Sequence, residues 1–141
     1  MEISEVKRHL SETIERAKRA AVDRRTHVDE ASREFDVLLE QVAIPLFRQV
    51  ANVLKVQGYP FDVFTPGGSV RLMSEKNADD FIELTLDTTG EEPLVMGHSR
   101  RGRGRRVLES ERAIAEGPVR NLTEQQVLAF LLKELEPFVE K

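Results

Sequence analysis

From Met1 to Gln57 the chain carries no glycine and one proline, Pro45, while all eight glycines fall between Gly58 and Gly117. Glycine weakens helix interiors and marks turns. One domain, 1–141, is therefore expected in three parts: a long helical segment (1–57), a turn-rich sheet (58–120) and a C-terminal helix (121–141). The chain reads as α+β.

Within the first part, apolar residues recur at alternating spacings of four and three. The seam runs Ile3, Lys7, Leu10, Ile14, Ala17, Ala21, Arg24, Val28, Ala31, Phe35, Leu38, Val42, with only Lys7 and Arg24 charged. This 3.5-residue period is the signature of a helix that buries one stripe against a partner. A helix of about 40 residues would be ~60 Å long, more than a small domain can cover. The expectation is a homodimer through paired long helices, with Leu10, Ile14, Ala17, Ala21, Val28, Ala31, Phe35 and Leu38 as its seam. The alternative is an intrachain hairpin that breaks near Ala20–Thr26, where Val22–Thr26 is the weakest helical stretch, although no glycine or proline marks a turn there. Pro45 lacks an N–H and crowds the carbonyl of Gln41, so a kink or break is expected at Ala43–Pro45. The following stripe, Leu46, Phe47, Val50, Val53 and Leu54, ends before Gly58, which suits a C-terminal cap.

The middle reads as an antiparallel meander of four to five strands: Tyr59–Thr65, Ser69–Ser74, Phe81–Thr88, Pro93–Ser99 and Arg106–Ala115. Pro66-Gly67 suits the centre of a type II turn. Ile82, Leu84 and Leu86 alternate with Glu83, Thr85 and Asp87, giving a strand with one wet face. The tail opens with a capping box, Thr123 with Gln126, and a staple of Leu122 with Val127. Pro137 is expected to kink or end that helix near Glu136.

Five of the seven residues from Arg100 to Arg106 are arginine: Arg100, Arg101, Arg103, Arg105 and Arg106. Arginine forks match phosphate oxygens, so nucleic acid or another polyanion is the partner this cluster suggests. Against it stand a net charge of −4 and a single tyrosine with no tryptophan, which leave little for base stacking. The competing expectation is ion pairing with Asp79, Asp80, Glu83, Asp87, Glu91 and Glu92. The acids Asp79, Asp80, Glu83 and Asp87 match no calcium-loop spacing and read as solvated. His98 is expected at the rim of the core, and His9 and His27 on the long helix.

The chain has no cysteine, which excludes disulfides and thiolate chemistry. No P-loop, dinucleotide fingerprint or His-Glu-x-x-His pattern is present, so neither cofactor nor metal is expected. No run approaches 18 uninterrupted apolar residues and the first residues lack a signal-peptide layout, so no membrane association and a cytoplasmic location are expected. The best reading is a non-enzymatic, self-associating interaction or scaffold module. The alternative is polyanion binding through Arg100–Arg106.

Overall fold

The computed structural model describes residues 1–140. Helix α1 spans Ile3–Leu38, a π-helical turn follows at Leu39–Ala43, and α2 spans Ile44–Val56. Ile44 N–H donates to the carbonyl of Leu39, five residues back. That wider turn sits immediately before Pro45 and lets the helix pass a residue that has no donor and would crowd the carbonyl four positions earlier. The expected kink or break at Ala43–Pro45 is therefore a π turn inside one continuous helix of 54 residues, Ile3–Val56. The fold-back alternative is overturned. Val22–Thr26 is helical, and Thr26 Oγ1 donates to the Val22 carbonyl at 3.1 Å within the turn. Gly58 and Tyr59 close α2 in a Schellman arrangement, donating to the carbonyls of Lys55 (3.1 Å) and Leu54 (2.8 Å).

Five strands follow: β1 Phe61–Phe64, β2 Val70–Ser74, β3 Phe81–Asp87, β4 Leu94–Arg103 and β5 Arg106–Ala113. They form one antiparallel sheet in sequential order, β1-β2-β3-β4-β5. Short turns leave each strand no neighbour but the next one. In the β1–β2 turn the positive φ (77°) belongs to Gly68, and Ser69 N–H donates to the Pro66 carbonyl at 2.9 Å. Gly67 and Gly68 are thus the central residues, one position later than the sequence reading.

After a 3-10 turn at Val119–Asn121, α3 spans Glu124–Val139. Its capping box forms as expected: Gln126 N–H donates to Thr123 Oγ1, and Thr123 N–H donates to Gln126 Oε1. Pro137 does not end the helix, which continues to Val139. In the last turn the proline removes only the bond to the Lys133 carbonyl, and its own carbonyl accepts from Arg101 at 2.9 Å.

The helices lie on one face of the sheet, α2 against β1 and β2, α3 against β3 and β4. Ala31, Phe35, Leu38, Ala43, Phe47 and Leu54 from the long helix meet Val70, Leu72, Ile82, Leu84 and Val95 from the sheet and Val127, Phe130 and Leu131 from α3. Gly97 in β4 permits the closest approach. A β-carbon there would lie 2.2 Å from Phe130 Cε1, so α3 seats its ring on the backbone. At the sheet's other end, Lys55 joins α2 to Asp62 (2.6 Å) and Glu75 (3.4 Å).

By length and composition, Ile3–Val56 is the one helix among the described residues able to cross a membrane. Part of its apolar content is the core-facing stripe that packs on the sheet, as expected of a core helix.

Candidate functional site

Two features project beyond this two-layer body: the Ile3–Val28 end of α1 and the arginine hairpin of β4 and β5. Between Ile3 and His27 every residue except Ala21 is exposed. Ile3 is 75 % exposed, Leu10 57 % and Ile14 44 %, with Val6 and Val22 similar. The segment is an arm of roughly 25 residues, about 37 Å at 1.5 Å per residue. The seam is thereby divided. Ala31, Phe35 and Leu38 are buried in the chain's own core, while Leu10, Ile14 and Ala17 face solvent and Ala21 and Val28 are half-buried at the root. The heptad pattern is the same on both sides of Val28, so only the folded arrangement separates core from arm.

The arm's root meets the turn between β3 and β4. Asp87 organises that turn by accepting from the Thr89 hydroxyl (2.6 Å) and amide (2.9 Å), which holds its carboxyl below the ordinary aspartate value. Between this turn and α1 lies an open groove of about 410 Å³, lined by Ala21, Arg24, Arg25, Val28, Gly90 and Pro93. On the other side, Glu34 accepts from the Arg120 amide at 3.0 Å and pairs with its guanidinium at 3.4 Å, which ties the last buried turns of α1 to the 3-10 turn.

The arginines occupy the end of a two-stranded ribbon. β3 starts at Phe81, opposite Arg100, so Arg101, Gly102 and Arg103 pair only with Leu108, Val107 and Arg106 of β5. The Arg103–Arg106 pair closes on a two-residue turn whose first residue, Gly104, has φ 62°. A positive φ at the first central position alone is the type II′ geometry, which glycine adopts without cost. Strand alternation then sets Arg101, Arg103 and Arg106 on the face continuous with α3, and Arg100 on the opposite face.

The five arginines have different surroundings. Arg100 Nε is buried 3.3 Å from Glu109 Oε1 without hydrogen-bond alignment. Arg101 donates to the Pro137 carbonyl, favoured by the negative end of the α3 dipole. Arg103, Arg105 and Arg106 are exposed, and among the described residues none has an acid within ion-pair distance. The expected pairing with nearby acids is thus realised differently. Asp80 Oδ1 accepts from the Gly102 amide at 2.7 Å, and Glu83 pairs with Arg71. A groove of about 480 Å³ separates the ribbon from the end of α3, lined by Asp80, Arg101, Gly102, Arg103, Pro137 and Phe138.

Glu83 corrects the expectation of a solvated acid. It is 8 % exposed, accepts from Arg71 Nε at 2.9 Å, and lies directly across from His98 in the register. Arg71 also stacks over Phe81, 4.1 Å from the ring centroid, and His98 meets the same ring edge-on at 5.3 Å. His98 thus packs at the rim of a polar–aromatic cluster on the sheet's open face. Glu134 of α3 accepts from Ser99 (3.0 Å) and from Arg112 (3.3 Å), tying the helix to β4 and β5. Residues 22 to 35 positions apart make these links, and no local pattern announces them. Among the described residues no group of three or more His, Asp or Glu side chains is placed to hold a metal ion.

Comparison with protein-family models, with curated proteins and with solved structures gives no match to this chain.

Proposed function

We propose that the chain is a self-associating interaction or scaffold module whose Ile3–Val28 arm pairs with the arm of a second copy. One observation carries this reading: the apolar seam of the arm is uncovered. In proteins most helical stability comes from packing of an amphipathic face rather than from propensity. Ile3, Leu10 and Ile14 lie on that face, 44–75 % exposed. A row of such side chains in solvent favours association. The sheet and its two covering helices anchor the arm through Ala31, Phe35 and Leu38. The test is the thermal midpoint over a hundredfold range of protein concentration. Association stabilises by mass action, so the midpoint rises with concentration. A midpoint that stays constant, with a monomeric mass throughout, overturns the reading.

A second reading rests on the tip of the ribbon. Arg103, Arg105 and Arg106 are exposed there with no acid paired to them among the described residues. Unpaired guanidinium groups on a projecting hairpin suit a polyanion such as single-stranded nucleic acid. Fluorescence anisotropy with labelled single-stranded RNA across a salt series tests it. Replacing Arg103, Arg105 and Arg106 with alanine lowers the salt slope by up to about three if each neutralises one phosphate. Absence of binding at low salt excludes this reading.

A further inference from the structure

Resting on the self-association reading, we infer that the two arms pair antiparallel, in the register that sets Ile3 of one copy against Val28 of the other. The seam pattern admits this register, and side-chain size and charge along the arm point to the antiparallel orientation.

The seam is a palindrome. From Ile3 to Val28 it reads apolar, charged, apolar, apolar, then apolar, apolar, charged, apolar: Ile3, Lys7, Leu10, Ile14, Ala17, Ala21, Arg24, Val28. In the antiparallel register Ile3 meets Val28, Leu10 meets Ala21 and Ile14 meets Ala17. Lys7 and Arg24, the two charged positions, fall opposite each other, and their stems extend so that the charges reach solvent. Every other seam pair is apolar on both sides.

Side-chain size is complementary. The large residues Leu10 and Ile14 lie in the half nearer Ile3, and Ala17 and Ala21 in the half nearer the body. Antiparallel pairing sets Leu10 against Ala21 and Ile14 against Ala17, so helix separation is even across the middle of the arm, with Ile3 against Val28 at its ends. A parallel pair would crowd leucine and isoleucine at one end and leave alanine facing alanine, with Arg24 against Arg24, at the other.

Charge is complementary as well. Met1–Glu15 carries four acids and two bases, while Arg16–Val28 carries five bases and one acid. Antiparallel pairing brings the acidic half onto the basic half twice, by symmetry, whereas parallel pairing sets the basic halves together. At the root, the groove beside the Thr88–Pro93 turn receives the Ile3 end of the second copy, with Glu5 arriving beside Arg25 and Glu2 level with Asp29. Asp29 and Glu91 line the same groove. The charge asymmetry along the whole arm, rather than the groove alone, therefore sets the orientation.

Because the chain has no cysteine, single-cysteine variants report pairing without background. Sedimentation equilibrium of the unmodified chain is run first. Lys7→Cys and Arg24→Cys proteins are then mixed in equal amounts, oxidised gently, and their disulfides identified by mass spectrometry. Both positions are exposed and unused by the fold. In the antiparallel register the thiol introduced at position 7 of one copy lies beside the thiol introduced at position 24 of the other. Two thiols at position 7, one on each copy, are about 26 Å apart along the axis. The expected result is a 7–24 disulfide about tenfold or more in excess of either homodisulfide, since a bridge requires α-carbons within ~7 Å. A dimer that yields mainly 7–7 and 24–24 disulfides, or none at all, overturns the antiparallel register and leaves self-association standing. A chain that is monomeric at every concentration overturns both.

Discussion

Gly97→Ala should be among the most damaging single-methyl additions in this fold. The new β-carbon would sit 2.2, 2.3 and 3.0 Å from three ring atoms of Phe130. Carbon atoms pack at about 3.5–4.0 Å, so the ring must retreat by more than about 1 Å. Phe130 is 2 % exposed and packed within the core, with Arg112 stacked 5.1 Å from its centroid, so no open space receives it. Overpacking of this kind costs about 1–3 kcal/mol and more when the backbone must move. For a chain of this length each kcal/mol lowers the thermal midpoint by roughly 3–5 °C, so a fall of about 3–15 °C is expected. Circular dichroism melts at one fixed protein concentration measure it. Phe130→Ala supplies the control. Alone it should cost about 3–5 kcal/mol through the cavity it leaves. In that background Gly97→Ala finds room and should be close to neutral, a coupling of at least about 1 kcal/mol. A Gly97→Ala midpoint within about 2 °C of the parent, or an equal loss in both backgrounds, would refute the packing of α3 on β4 described above.

Three further outcomes follow from the same contacts. Thr123→Ala removes the hydroxyl that accepts from Gln126 N–H at 3.2 Å and should cost about 1 kcal/mol by chemical denaturation. Arg71→Ala leaves the nearly buried Glu83 carboxylate without its 2.9 Å partner and should cost roughly 1–3 kcal/mol, with Glu83→Gln relieving part of that loss in the double variant. The Asp62 carboxyl is held below its ordinary 3.8, chiefly by the hydrogen bond from Lys55 and then by Glu75, and Asp87 is held low by the Thr89 hydroxyl and amide. Folded values below unfolded ones give stability that is present above pH 3.8 and lost as pH falls through the depressed values, so the thermal midpoint should drop in that window and drop less in an Asp62→Asn/Asp87→Asn variant.

The sheet was largely legible because its strands are β-branched and aromatic runs punctuated by proline and glycine. That punctuation points to four to five antiparallel strands joined by hairpin-length connections, of which five form in sequential order, and the capping box marks where α3 begins. The interruption expected at Pro45 is present, in the form of a π turn at Leu39–Ala43 rather than a break. Errors arose where tertiary context outweighs local chemistry. Pro137 reads as a terminator, yet it sits in a last turn where one bond is lost and Arg101 caps its carbonyl. Glu83 alternates onto the nominally wet face, yet Arg71, Phe81 and His98 close over it. The arm shows the same limit in another form. Phe35 and Ile14 occupy equivalent seam positions, and only the placement of the sheet decides that one is core and the other is exposed.

Sedimentation equilibrium of the intact chain, beside an Ala17→Glu variant, measures whether two arms pair. Ala17 is exposed on the arm, so the substitution leaves the folded monomer intact while placing a charge at the middle of the seam. Pairing through the arm gives a concentration-dependent monomer–dimer equilibrium for the parent and a shift toward monomer in the variant. A parent that sediments as a monomer at all concentrations, or a dimer indifferent to Ala17→Glu, would contradict it.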